Sequence, residues 1–273
     1  MNKLLPSFPP YATPLDKAGW WALRLVCVGV LAYLLLPILV IIPLSFSESS
    51  FLVYPIPAWS TKWYQNLFSS TEWARAAKNS FIVAPAATVI ATGLGTLAAV
   101  GLARSRFPFK GLLMSLLIAP MVVPIIVVGV GTYLFFAPLG LADSYTALII
   151  VHAALGAPFV LTTVLATLQG FDQNLVRASL SLGENPLRSF FRITLPVIAP
   201  GVISGALFAF ATSFDEVVVA LFLAGPEQLT LPRQMFNGIR ENISPTIAAV
   251  ATLLIVFTTS LLLVLEWVRG RRR

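Results

Sequence analysis

Six apolar runs are long enough to cross a hydrocarbon core as helices, which takes about twenty residues each. They cover roughly residues 20–46, 76–103, 111–137, 144–168, 197–224 and 244–268. Short polar segments separate them. The predicted architecture is all-α, a polytopic integral membrane protein of six transmembrane helices. Residues 1–19, polar and rich in proline, read as an extended N-terminal tail, and 269–273 as a basic tail. The run after the first tail is too long for a secretory signal and has no small-residue cleavage site. Pro37 and Pro43 should kink or end the first span, which is tolerable where neighbouring helices re-satisfy the backbone.

The interruptions carry their own signals. Trp59, Trp63, Tyr64 and Phe68 in the segment 47–75 suit a helix lying at the headgroup level, the alternative being stacking on a cationic ligand. Gly93, Gly95, Ala98, Ala99 and Gly101 in the second span, and Gly201 and Gly205 in the fifth, would let helix backbones approach closely. Pro120 and Pro124 make the third span either a hinge or a static kink. A short turn holding Asp143 precedes the fourth span. His152 within that span is either a proton relay or a buried histidine bonded to a neighbouring helix.

Composition supports the membrane reading. The chain is 58% hydrophobic and 11% charged, with a mean hydropathy of +0.87; soluble domains average about 25% charged residues. A net charge of +7 would admit nucleic acid, but the basic residues flank the apolar runs instead of forming one patch, so no nucleic-acid partner is expected. Lys3, Lys17 and Arg24, then Arg104, Arg106 and Lys110, then Arg177, Arg188 and Arg192, then the terminal arginines fall on one side of a six-span layout. Positive charge stays inside, so both termini and the segment 170–201 are predicted to be cytoplasmic. One cysteine and one histidine exclude the usual zinc spacings, and no phosphate-cradling P-loop string occurs. No nucleophile–base cluster is visible either, which leaves a membrane enzyme without support.

The segment 170–201 is the one long polar island. Asp172 is a predicted N-cap for a helix through Leu182, with Leu175, Val176, Leu180 and Leu182 on its apolar side. Gly183 stops it, and Asn185 and Pro186 start a second short helix that Leu195-Pro196 bends into the fifth span. On geometry alone this is either a lever or an ordinary cytoplasmic loop. The residues Arg177-Ala178-Ser179-Leu180, then Gly183-Glu184, then Ile193-Thr194-Leu195-Pro196, resemble the EAA loop of bacterial ABC importer permeases. Arg177 stands where that family usually has its first Glu, and Ser179 where it has its second Ala. Ser60–Tyr64, Ser213–Val218, Gly225-Pro226, Leu231-Pro232 and Ser244-Pro245 are similar to the spermidine/putrescine type of these permeases. The resemblance implies a type I ABC importer permease fold over 20–268 and a site in the bacterial inner membrane. It implies a second homologous permease, two ATPase subunits holding ATP and Mg²⁺, and a periplasmic binding protein as partners besides membrane lipids. This chain itself is expected to bind no cofactor.

Asp215 and Glu216 are carboxylates within the fifth apolar run. A charge at the bilayer centre costs about 2.5–3.5 kcal/mol on insertion scales, so lipid exposure of both is improbable. Either they, with Phe214, line the path of a cationic substrate, or they pair structurally with a base of a partner chain. The resemblance implies a polyamine such as spermidine or putrescine, although related permeases carry amino-acid-derived compounds, opines or other organic ions. A gradient-driven transporter is the rival class. It would have no need of the EAA-like loop.

Overall fold

A computed structural model of the chain describes residues 11, 13–105, 108–241 and 243–270. Lys3 and most of the N-terminal tail, Arg106, and Arg271–Arg273 lie outside the described residues. Among the described residues the regular structure is helical apart from one isolated bridge between Ser47 and Trp59. It divides into two compact units, one built from 1–69 with 242–273, the other from 70–241.

In the first unit, helix α1 (Pro14–Leu44) begins ahead of the expected Trp20 because a capping box forms there. Thr13 Oγ1 accepts from the Asp16 N–H at 3.2 Å, and the Asp16 carboxylate accepts the Thr13 N–H at 2.9 Å. Pro14 then takes the first helical position, where its missing N–H costs nothing. The tail therefore becomes helical by residue 14. Pro37 and Pro43 both lie inside α1, and none of its residues is buried, as suits a helix surrounded by lipid. After it, α2 (Lys62–Ser69) turns Trp63 and Leu67 inward. Trp63 Nε1 donates to the Ser47 carbonyl at 2.8 Å, and the Tyr64 hydroxyl meets Ser45 Oγ at 2.7 Å. Two of the four aromatics expected at the headgroup level are thus anchors within the unit; Trp59 and Phe68 remain exposed. The last helix, α12 (Pro245–Gly270), packs with α1 and α2.

The second unit contains α3 (Thr71–Arg104), α4 (Lys110–Val122), α5 (Ile125–Phe136), α6 (Tyr145–Gln169), α7 (Gln173–Ser181), α8 (Pro186–Ser189), α9 (Leu195–Phe214), α10 (Val218–Leu223) and α11 (Leu231–Glu241). Its core is α3, α6 and α9, packed pairwise. Glycines set the closeness of α6 to its neighbours. A Cβ on Gly205 would stand 2.6 Å from Val160 Cα, one on Gly156 2.9 Å from Ala209 Cβ, and one on Gly95 2.8 Å from the Ala157 carbonyl. Gly93 and Gly101, by contrast, face open space.

Five helical stretches are individually long and apolar enough to cross a membrane: α1, α3, α6, α12 and the continuous run Pro186–Phe214. The third expected span is instead a bent pair, α4 and α5, meeting at 101°. Val123 is extended (φ −67°, ψ 131°), the conformation that a following proline favours, and Pro124 opens α5. Taken as one span, the pair brings the number to six.

Candidate functional site

The polar island folds as two short helices joined by a Gly turn. The Asp172 carboxylate accepts the Asn174 N–H at 2.8 Å and starts α7. A Schellman motif ends it: the Gly183 N–H bonds the Leu180 carbonyl at 3.0 Å and the Glu184 N–H bonds the Ser179 carbonyl at 3.2 Å. Gly183 sits at φ +89°, which its missing Cβ permits. Asn185 Oδ1 then caps α8 by accepting the Arg188 N–H at 2.8 Å, and Pro186 takes the first helical position.

A π-helical turn, Phe190–Thr194, follows. Pro196 has no N–H for the carbonyl four residues back, and the Leu195 N–H reaches the Phe190 carbonyl five back. The bend expected at Leu195-Pro196 is therefore absorbed as a π turn, and Pro186–Phe214 runs on as 29 helical residues. Arg192 Nη1 donates to Glu184 Oε1 at 2.6 Å, closing the turn, and Arg104 Nη2 reaches Thr194 Oγ1 at 3.4 Å, tying in the end of α3.

Of the motif residues, Arg177, Ala178, Leu180 and Gly183 are exposed. Ser179 is buried, and its hydroxyl is enclosed without a partner among the described residues. Glu184 and Leu195 are half-buried, and Pro196 is exposed. Leu182, expected on the packed side of the helix, is instead its C-cap and is 87% exposed. Leu187 and Phe191 are exposed beside it. The loop thus presents bare leucines among arginines.

At the far end of the same rod, α9 stops at Phe214, ten residues short of the expected end at Ala224, and the chain restarts as α10 at Val218. The break holds both carboxylates and treats them differently. Asp215 is the C-cap residue, exposed, with its N–H on the Ala211 carbonyl at 3.0 Å. Glu216 is buried, and its Oε2 accepts the Ala220 N–H at 3.1 Å. Facing it across the unit is His152 of α6, only 1% exposed. His152 Nδ1 lies 2.8 Å from Ser213 Oγ, and Nε2 stands 3.8 Å from Glu216 Oε2. That second distance is too long for a hydrogen bond, and Nε2 has no partner among the described residues. A buried polar atom left unpaired costs about 1–3 kcal/mol.

The bond that Glu216 makes among the described residues is thus to a backbone N–H of α10, with the His152 imidazole beside it and unbonded to it. Phe214 is buried, stacked on Phe210 at 5.3 Å and edge-on to Phe81 at 5.5 Å, so it belongs to packing and not to an open surface. Sequence reasoning missed the His152–Ser213–Glu216 cluster. Its only signal was three polar residues in apolar runs, with nothing in the spacing to say that they meet.

The Asp215 end of the unit is closed by polar ties. Arg75 grips Glu227 with Nη1 at 2.7 and 2.9 Å from its two oxygens. Asn79 Nδ2 donates to the carbonyls of Glu227 and Leu229 at 2.8 and 2.9 Å, and accepts from the Tyr145 hydroxyl at 2.8 Å. Asp143 takes a positive φ of 57° in the turn before α6. A polar cleft of about 310 Å³ opens beside these ties, lined by Glu72, Arg75, Gln234, Asn237 and Glu241 among others. On α11, two guanidinium nitrogens of Arg233 are enclosed without a partner among the described residues. Burial, then the charge of Arg240, lowers its pKa from the ordinary arginine value. Among the described residues no group of acidic, histidine or cysteine side chains is arranged to hold a metal ion.

Residues 91–273 match the family described as binding-protein-dependent transport system inner membrane component. The spermidine/putrescine transport system permease protein PotC of Escherichia coli is 34% identical over 230 residues, 84% of this chain and 87% of that protein. The putrescine transport system permease protein PotI of the same organism is 34% identical over 242 residues, 86% and 85% of the two chains. The sulfoquinovosyl glycerol permease protein SmoH of Agrobacterium fabrum is 31% identical over 163 residues, 59% of this chain and 57% of that one. Among solved structures, a chain of a bacterial ABC transporter involved in the import of the acidic polysaccharide alginate shares the fold. The TM-score is 0.75 at 14% identity, covering 96% of this chain and 99% of that chain.

Proposed function

We propose, from the premise that the chain belongs to the family of binding-protein-dependent transport system inner membrane components, that it is a permease subunit of an ATP-driven importer whose cargo is a small organic cation. A polyamine of the putrescine or spermidine kind is the favoured cargo. The observation that carries the reading is Asp215: an exposed carboxylate at a break in a membrane-spanning helix, in a chain 34% identical to two permeases named for polyamines. A carboxylate in a low-dielectric path draws an ammonium group by direct pairing and by its focused field.

The mechanism follows from how the rod is built. Its base carries α7, whose exposed leucines and arginines would seat in a separate ATPase subunit that binds ATP and Mg²⁺. The caps, the Schellman turn and the Arg192–Glu184 pair make the loop move as one piece. The rod running from Pro186 ends at Phe214, directly before Asp215. A push at α7 therefore arrives at the carboxylate, and alternating access opens the path to one side and then the other. A second homologous permease would complete the path, and a periplasmic binding protein would deliver the solute near the polar cleft. Positive charge at the α7 end supports a cytoplasmic location for it and for both termini, in a bacterial inner membrane.

The test is uptake of labelled putrescine by the assembled complex in proteoliposomes. Asp215→Asn should lower uptake about tenfold or more, the scale of a charge-assisted bond of about 1.5–3 kcal/mol, with assembly intact. Unchanged uptake would remove Asp215 from the path. Replacing residues 177–183 by a Gly-Ser linker should uncouple ATP hydrolysis from uptake, whereas a gradient-driven transporter would keep working.

A further inference from the structure

The reading above needs an accessible Asp215 but makes no use of the buried cluster beside it. That cluster brackets the carboxylate. Ser213 lies two residues before it and Glu216 one after, and both face the same imidazole on α6. Asp215 itself has only its backbone bond to Ala211, and its carboxylate has no hydrogen-bond partner among the described residues. At a helix break, where the ladder no longer dictates direction, such a side chain would sweep a wide arc unless the flanking backbone were held.

We propose that His152 is a positioning residue for Asp215: its Nδ1 bonds Ser213 just before the carboxylate and its ring stands against Glu216 just after it, so that α6 sets the direction of the chain between them. Three features serve this role. His152 sits on the helix that packs against both α3 and α9, so it is fixed by the core. Its Nδ1 contact of 2.8 Å holds the last turn of α9, and Glu216, by taking the Ala220 N–H, fixes the first turn of α10. The Gly156–Ala209 contact brings α6 and α9 close enough for the imidazole to reach. Nε2 stands 3.8 Å from Glu216, so the imidazole packs against that side chain while it bonds Ser213 alone.

The inference rests on Asp215 meeting the cation, so the experiment separates the two. In the reconstituted complex, with putrescine as the probe, uptake is measured for His152→Ala, His152→Asn, His152→Gln, Asp215→Asn and the double variant His152→Ala with Asp215→Asn. His152→Ala should lower uptake about tenfold, and His152→Asn, whose amide can reach the Nδ1 position, should recover most of it. His152→Gln should recover less, since it reaches toward Glu216 and leaves Ser213 unbonded. The double variant should be no worse than Asp215→Asn alone, because a residue acting through another adds nothing once that other is gone. Multiplying losses in the double variant, with Asp215→Asn itself impaired, would overturn the positioning role and leave the cation reading standing. Normal uptake by Asp215→Asn would overturn both. Failure of every His152 variant to assemble would make the cluster a scaffold and also end the proposal.

Discussion

The two ends of the rod Pro186–Phe214 are held in opposite ways. At its base, the α7–α8 loop is built almost wholly from contacts within a few residues: Asp172 to Asn174, Gly183 to Leu180, Asn185 to Arg188, Glu184 to Arg192. At its tip, the break is held by a residue distant in the chain, with His152 and Ser213 61 positions apart. The base takes its shape mostly from its own local bonds; the tip takes its shape from a buried residue of the core. On the function proposed above, a segment pushed by another protein needs a shape of its own before the partner arrives, and local capping supplies it. On the same proposal, a carboxylate that points one way inside a membrane needs fixed neighbours, and tertiary packing supplies those.

Three substitutions would break or sharpen this contrast, read as thermal unfolding of the purified complex in detergent. Gly205→Val should cost most, on the order of 1–3 kcal/mol or more, because its side chain must displace Val160 and Thr163 where even a Cβ has no room. It should also lower uptake by pushing α9 away from His152. Asn185→Ala should cost about 1 kcal/mol, the usual loss of an N-cap, and should cut ATP-coupled uptake more than that stability loss implies, since it loosens the lever. Arg192→Gln should cost least, below about 1 kcal/mol, because the guanidinium of this ion pair is largely exposed. Its effect should fade further in high salt. Should Asn185→Ala unfold the complex as strongly as Gly205→Val, the loop would not be the self-contained piece described above.

The base was legible in the sequence to within a residue or two. Asp172, Gly183, Asn185 and Pro186 signal their roles by backbone chemistry that needs no distant partner. The differences there are Leu182, expected on the apolar side but exposed as the C-cap where the Schellman turn ends the helix, and the bend expected at Leu195-Pro196, which a π turn absorbs. The tip was not legible. An apolar run interrupted only by Asp215 and Glu216 suggested a helix to Ala224, whereas the Glu216 carboxyl takes a backbone N–H, Ser213 turns to His152 and α9 ends at Phe214. The pair Asp215 and Glu216 is adjacent and chemically alike, so no reading of the sequence could say which was exposed.

The sequence by itself determined the membrane class, the apolar runs, the polar island and its turns, and the presence of carboxylates where lipid would reject them. Each follows from composition, length or local backbone preference, quantities a residue carries with it. The tertiary structure decided the sorting of the two carboxylates and the reach of His152 to the break. These depend on how close α6 can approach α9, which is settled by glycines meeting backbone across helices and is invisible along a single chain.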